Sequence, residues 1–204
     1  ATDLADNANS VESGGVYKIS GNRQNPVKIT ATDEVVLVLE NVTINTNTSP
    51  IELADGAKVT LVVPDGTNNT LTCTATVADT SNGGKTAGIL VPENAALTID
   101  KQKDGKGNGE LTVTAAVGGV GIGGGAGIYS DTRAGSGADG TSGTKSNDLW
   151  NAKENYTVTG AAGGALGKGG QGGRNGTNGG SMGNLTINAG VLNITGSANA
   201  AGIG

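Results

Sequence analysis

The chain of 204 residues contains 38 glycines, one tryptophan, three tyrosines and no phenylalanine, which excludes a globular core of interlocked aromatic rings. Its apolar residues are mostly Val, Ile, Leu and Ala among many Thr and Asn, a set suited to a narrow core of small side chains stacked in columns. A formal net charge of −5 speaks against nucleic acid or an anionic membrane as partner, and the lack of histidine excludes Ser-His, Cys-His and His-ligated metal chemistry.

Residues 1–15 are polar without alternation, and read as a linker or as a cap over the first layer of strands. Val16-Tyr17-Lys18-Ile19 and Val27-Lys28-Ile29-Thr30 then alternate apolar and polar across a turn-rich connection that ends at Pro26. Val35-Val36-Leu37-Val38-Leu39 is apolar throughout, which predicts a strand covered on both faces, with the N-terminal segment over its outer side.

From there the strands group in threes. Val35 to Leu39, Val42-Thr43-Ile44 and Ile51-Glu52-Leu53 form one group, and Val59 to Val63, Leu71 to Thr74 and Ala87 to Leu90 a second. Leu97-Thr98-Ile99, Leu111 to Thr114 and Val120-Gly121-Ile122 form a third. Leu185-Thr186-Ile187, Leu192 to Thr195 and Ala201-Gly202-Ile203 form the last. Two phrases of this series align without a gap, Leu111 to Gly123 and Leu192 to Gly204. A shorter copy runs from Tyr156 to Gly167 and predicts a damaged layer between the third and last groups, with Ala126-Gly127-Ile128-Tyr129 as its first strand.

A repeated unit that cannot bury its own apolar face must stack on its neighbours. Three short strands per turn and no helical pattern predict an all-β fold, a right-handed parallel β-helix of about five to six coils. It would form a single domain, 1–204, with residues 123–155 as a long glycine-rich flap. In Val120-Gly121-Ile122-Gly123 the isoleucine points inward and the glycines occupy the outward positions. They mark either a tight bend or the close approach of another backbone or a ligand.

Gly15 to Gly21, Glu34 to Ile44 and Val59 to Thr72 together resemble, in order, a bacterial secreted family of carbohydrate-binding domain-containing proteins with a pectate-lyase-like right-handed β-helix. The Leu-Thr-Ile, Leu-Thr-Val and Gly-Ile phrases carry the resemblance to the end of the chain. It implies binding of polysaccharide, notably acidic pectic chains, with calcium on the helix surface. The glycine-rich third strands and the insertion around Trp150 depart from that pattern and also look like surface-anchored adhesins.

No catalytic motif stands up. Gly119 to Gly124 matches G-x-G-x-x-G but nothing helical follows, and Gly167-Lys168-Gly169 lacks the Ser or Thr of a phosphate loop. The basic residues Arg23, Arg133, Lys153 and Arg174 lie mostly in loops, with no carboxylate trio beside them to support a lyase. Cys73, between outward Thr72 and Thr74, reads as a buried structural thiol.

Asp104 to Glu110 resembles the start of a calcium loop with Asp104 and Asn108 as ligands, although Lys106 stands at the third position of the loop and Ala115 at the twelfth; a solvated turn is the alternative. Asp131, Asp139 and Asp148 in the flap are a second set of oxygen donors. Tyr129, Trp150 and Tyr156 hold three of the chain's four aromatic side chains, either to stack on sugar rings or to pin the flap. Second strands carry Thr43 and Asn45, Thr72 and Thr74, Thr112 and Thr114, Thr157 and Thr159, Asn193 and Thr195, predicting two outward polar columns. These columns bond to one another or meet a regular polymer or ice.

The reading that follows is a noncatalytic polysaccharide-binding module, secreted or attached to a bacterial surface, with calcium as the candidate cofactor. A structural or adhesive segment is the alternative, with a lyase or an ice binder behind it. The chain ends within a repeat phrase, at Ile203-Gly204, so further coils or end-to-end pairing of copies are expected there.

Overall fold

A computed structural model describes residues 1–6, 8–76, 84–101, 109–127, 179–198 and 200–204. The chain divides into two compact units, Ala1–Ser130 with Gly176–Gly204, and Asp131–Asn175. The second unit lies wholly outside the described residues.

The described residues form strands and no helix. In chain order these are β1 (Thr2–Asp3), β2 (Ser10–Val11), β3 (Gly15–Arg23), β4 (Val27–Ile29), β5 (Val35–Thr46), β6 (Ile51–Leu53) and β7 (Lys58–Val62). They continue with β8 (Asn68–Cys73), β9 (Ile89–Leu90), β10 (Ala96–Asp100), β11 (Glu110–Thr114), β12 (Ile122–Gly123), β13 (Asn184–Ile187) and β14 (Val191–Thr195).

Every pairing between these strands is parallel, in one nine-stranded and one five-stranded sheet. The larger sheet folds at a corner inside β5. Val35 to Val38 pair with β7, whereas Thr43 to Thr46 pair with β8. Asn41 sits at that corner with φ 53°, a left-handed conformation that asparagine tolerates better than most residues. The partner strand β3 shifts register at the same place, between Ser20 and Gly21. One column therefore runs β3-β5-β7-β10-β13 and a second runs β3-β5-β8-β11-β14. The smaller sheet is the third column, β2-β4-β6-β9-β12, which an isolated bridge from Ile122 to Ile203 extends.

The period-2 pattern aims one face of every column inward. Leu37, Leu61, Leu97 and Ile99 from the first column, Ile44, Leu71, Leu111 and Val113 from the second, and Ile29, Ile51, Ile89 and Ile122 from the third are all almost fully buried. In-register parallel pairing places like side chains on like, so the core is a set of aliphatic columns with no aromatic ring among its buried residues.

Three expectations change. Val35 to Leu39 is covered on one face only: Val35, Leu37 and Leu39 are buried, and Val36 and Val38 are half-buried outside. The N-terminal segment does not lie over that outer face. β1 adds to the edge of β3, with Thr2 opposite Tyr17, because backbone groups at an open edge need partners more than half-buried valines need a cover. β10 pairs directly with β13 and β11 with β14, so no layer lies between the third and last groups. Ala126 and Gly127 are not strand, and Ile128, Tyr129 and Tyr156 to Leu166 lie outside the described residues.

Arg23 closes the N-terminal end. Its side chain is fully buried, and its guanidinium donates to the carbonyls of Leu4, Ala5 and Ala8, each at 3.0 Å, and to Asp6 at 3.3 Å. Leu4 packs against the core beside it. Leu4, Ala5, Asp6 and Ala8 are thus tied to the end of β3. Burying an arginine is tolerable here because three carbonyl dipoles and a carboxylate replace its water.

Candidate functional site

The outer face of the second column gathers polar side chains in two rows. Asn22 lies opposite Thr43, Thr43 opposite Thr70, Thr70 opposite Thr112, and Thr112 opposite Asn193. Beside them Asn45, Thr72, Thr114 and Thr195 follow one another in register. The expected columns exist, but the member from β8 is Thr70 with Thr72 rather than Thr72 with Thr74. The turn Pro64 to Thr67 delivers β8 two residues earlier than the spacing of apolar residues suggested. Thr74 lies past the strand and donates its hydroxyl to the carbonyl of Thr46 at 3.0 Å.

Strand geometry spaces these side chains about 4.8 Å apart across strands and about 6.6 Å apart along them. Among the described residues, the hydroxyls of Thr43, Thr70, Thr72, Thr112 and Thr114 have no hydrogen-bond partner. The rows therefore do not bond to themselves. The amide of Asn193 does, donating to Glu110 at 2.7 Å and tying the last strand to the one before it.

The strand registers are held from below by Asn69, 1% exposed at the corner between columns. Its carbonyl oxygen accepts from the Val42 N–H at 3.0 Å, and its amide donates to the Thr67 hydroxyl at 3.0 Å and the Glu110 carbonyl at 3.3 Å. On the surface above, the Asn68 N–H donates to the side chain of Asn41 at 3.0 Å. The sequence alone assigned Asn69 no role of its own. The Asn68-Asn69-Thr70 run after a glycine turn was the available signal.

At the C-terminal end of these rows is a cavity of about 280 Å³. Three successive turns line it, Cys73–Ala75, Ala115–Gly118 and Ser197–Ala198. Cys73 is buried there as expected, and burial raises its thiol pKa, which keeps it protonated and unreactive. Gly119 and Gly121 follow the second of these turns. A Cβ on Gly121 would strike Cγ2 of Ile194 and come within 2.5 Å of the Gly202 carbonyl oxygen. One on Gly88 would strike Cγ1 of Val113 and come within 2.7 Å of the Gly121 carbonyl oxygen. These glycines mark close approach, and at Gly88 and Gly121 the missing side chain would point into the interior rather than outward. Neither residue has a positive φ, so a tight bend is not what selects them.

Glu52, on the outward side of β6, is only 4% exposed and is paired with Lys85 at 2.8 Å. Its second oxygen is buried without a partner. The pair fastens the segment after β8 to the third column.

The other predicted site residues, Tyr129, Asp131, Asp139, Asp148, Trp150 and Tyr156, together with the calcium candidates Asp104 and Asn108, lie outside the described residues. Among the described residues no three of His, Cys, Asp and Glu converge as metal ligands.

One comparison with known proteins decides the family. The model of the family described as carbohydrate-binding domain-containing protein matches residues 5–203. The chain belongs to this family. Comparison with curated proteins and with solved structures returns no match. As a carbohydrate-binding domain-containing protein, the chain offers on its described surface rows of unpaired threonine hydroxyls, bordered by the Glu110 carboxylate.

Proposed function

We propose that this member of the carbohydrate-binding domain-containing family is a noncatalytic polysaccharide-binding module of a secreted or surface-attached bacterial protein. The observation that carries the reading is the family match over nearly the whole chain. The unpaired hydroxyls of Thr70, Thr72, Thr112 and Thr114 support it, because regularly spaced donors and acceptors suit the repeating hydroxyls of a sugar polymer.

The architecture we propose is a single domain, a right-handed parallel β-helix with three strands per coil. Support comes from three parallel columns revisited in constant order, and the hand follows the general preference of parallel crossover connections. Trp150, Tyr129 and Tyr156 are proposed to stack on sugar rings, with Asp131, Asp139 and Asp148 as polar contacts. Calcium at Asp104 and Asn108, or at the flap carboxylates, would bridge an acidic glycan. Asn22 and Asn193 bound one threonine row and Asn45 starts the other, which leaves three threonines in each, a short patch for an ice lattice.

A glycan array run with and without EDTA tests the reading, followed by Thr112→Val with Thr114→Val. Valine keeps the branched shape and removes the hydroxyls. Binding should weaken about tenfold or more, roughly 1.4 kcal/mol, with the melting temperature within about 2 °C of the parent. A chain that binds no glycan in either condition is a structural or adhesive segment instead.

A further inference from the structure

The cavity beside the threonine rows differs from them in chemistry. Methyl groups of Ala75, Ala115, Ala116, Val117 and Ala198 line most of it, and no charged side chain stands among the described residues of its wall. Its three turns come from successive layers, so it runs about 9.6 Å along the stack, in the same direction as the rows. The second row adjoins it in the chain: Thr72 precedes Cys73, Thr114 precedes Ala115, and Thr195 stands two residues before Ser197. A polymer laid along the rows keeps this cavity on its flank, so what enters is a side group of the sugar rings.

One turn of the wall sets the chemistry of that side group. The Gly119 N–H donates to the Ala116 carbonyl at 2.8 Å, and Gly118 stands at φ 72°, the left-handed conformation that the third residue of a type II turn requires. Val117 therefore takes the outer corner of the turn, where it is 52% exposed, the most exposed large apolar side chain among the described residues. Among those residues the N–H groups of Val117 and Gly118 have no hydrogen-bond partner. The cavity thus offers methyl groups and two free donors, with no cation. A bare sugar hydroxyl entering it would exchange water for alanine methyls, and a carboxylate would shed its hydration with no positive charge to meet. A small apolar group that carries a neutral carbonyl oxygen matches both features of the wall.

We propose that this cavity is a subsite for acetyl groups borne by the bound polysaccharide, as esters or as acetamides. The acetyl methyl packs on the alanines and Val117, and its carbonyl oxygen accepts from the N–H groups of the Val117-Gly118 turn. This inference deepens the polysaccharide-binding reading and rests on it.

Isothermal titration of the 204-residue chain with two matched pairs of probes tests it. Chitohexaose and cellohexaose differ by an acetamido group in place of a hydroxyl, and partially O-acetylated glucomannan differs from its saponified form by the ester alone. The acetylated member of one pair or both should bind about tenfold tighter or more, and the pair that discriminates tells amide from ester. Ala198→Phe fills the cavity from an exposed position and Val117→Ser strips methyls from its rim. Each should reduce the preference by about threefold or more, with the melting temperature within about 4 °C of the parent. In the unmodified chain the amide signals of Val117 and Gly118 should shift with the acetylated probe and not with its partner. Equal affinities within both pairs, or a preference undiminished in both folded variants, would overturn the subsite and leave polysaccharide binding standing. Failure to bind all four probes would overturn the subsite as well, and the glycan array then decides whether the binding reading falls with it.

Discussion

At Gly121 a single hydrogen atom separates a fitted column from a collision. Its φ is ordinary, so the cost of a side chain there is spatial, against Ile194 and the Gly202 carbonyl. Gly66 is the opposite case, with φ 70° and no atom within 4 Å of the place a Cβ would occupy. Gly121→Ala should lose about 1–3 kcal/mol by overpacking and Gly66→Ala about 1–2 kcal/mol by left-handed strain. A double-mutant cycle with Ile194→Ala separates them, because only Gly121→Ala should show coupling, of about 0.5 kcal/mol or more by urea denaturation. Cys73 offers a second residue-level check. Burial raises its folded pKa above the ordinary 9.0, so the fold favours the neutral thiol. That contribution is complete below pH 9 and disappears as pH climbs through the folded pKa. The urea midpoint should therefore fall less steeply between pH 9 and 11 in Cys73→Ala than in the parent chain. Lys18, raised by its bonds to Asp3 and Glu40, titrates in the same direction in both proteins and cancels in the comparison.

The elements were legible where apolar residues recur every second position, and less so where turns decide. β7, β10, β11 and β13 begin within a residue of the alternating phrases Val-Thr-Leu, Leu-Thr-Ile and Leu-Thr-Val, because in-register parallel pairing demands the same alternation in each layer. Two misreadings share one physical cause. The apolar run Val35 to Leu39 suggested a strand buried on both faces, and Leu71 to Thr74 suggested a strand beginning too late; in both, composition was allowed to stand for position. The structure shows Val36 and Val38 half-buried because an outward valine on a twisted parallel sheet is shielded by its neighbours, Thr60 and Val62, without any second layer. Leu37→Ala should cost about 2–5 kcal/mol and Val38→Ala below about 1.5 kcal/mol, measured by chemical denaturation. Equal losses at the two positions would mean that both faces are covered after all. Asn69 was missed because its role is to satisfy a corner N–H, and a buried cap of this kind leaves no periodic trace.

At the scale of the whole molecule, charge constrains the ligand more than shape does. The threonine rows are neutral, yet the chain that carries them has a net charge of −5. A neutral polysaccharide meeting this face gains hydrogen bonds and changes no charge contacts, so its affinity should be flat with ionic strength. An acidic pectic chain meets a field of its own sign, which salt screens over about 30 Å at 0.01 M and about 8 Å at 0.15 M. With EDTA present, its affinity should therefore rise as salt is added, the reverse of ordinary charge-driven binding. Calcium inverts this sign by bridging carboxylates on both partners, so with the ion restored the affinity should be highest at low salt. Isothermal titration with a neutral glucan and with polygalacturonate, each across that salt range with and without calcium, checks all three slopes. If polygalacturonate binds best at low salt in EDTA, a local basic patch outweighs the net charge. The contact would then centre on Lys and Arg side chains and not on the hydroxyl rows.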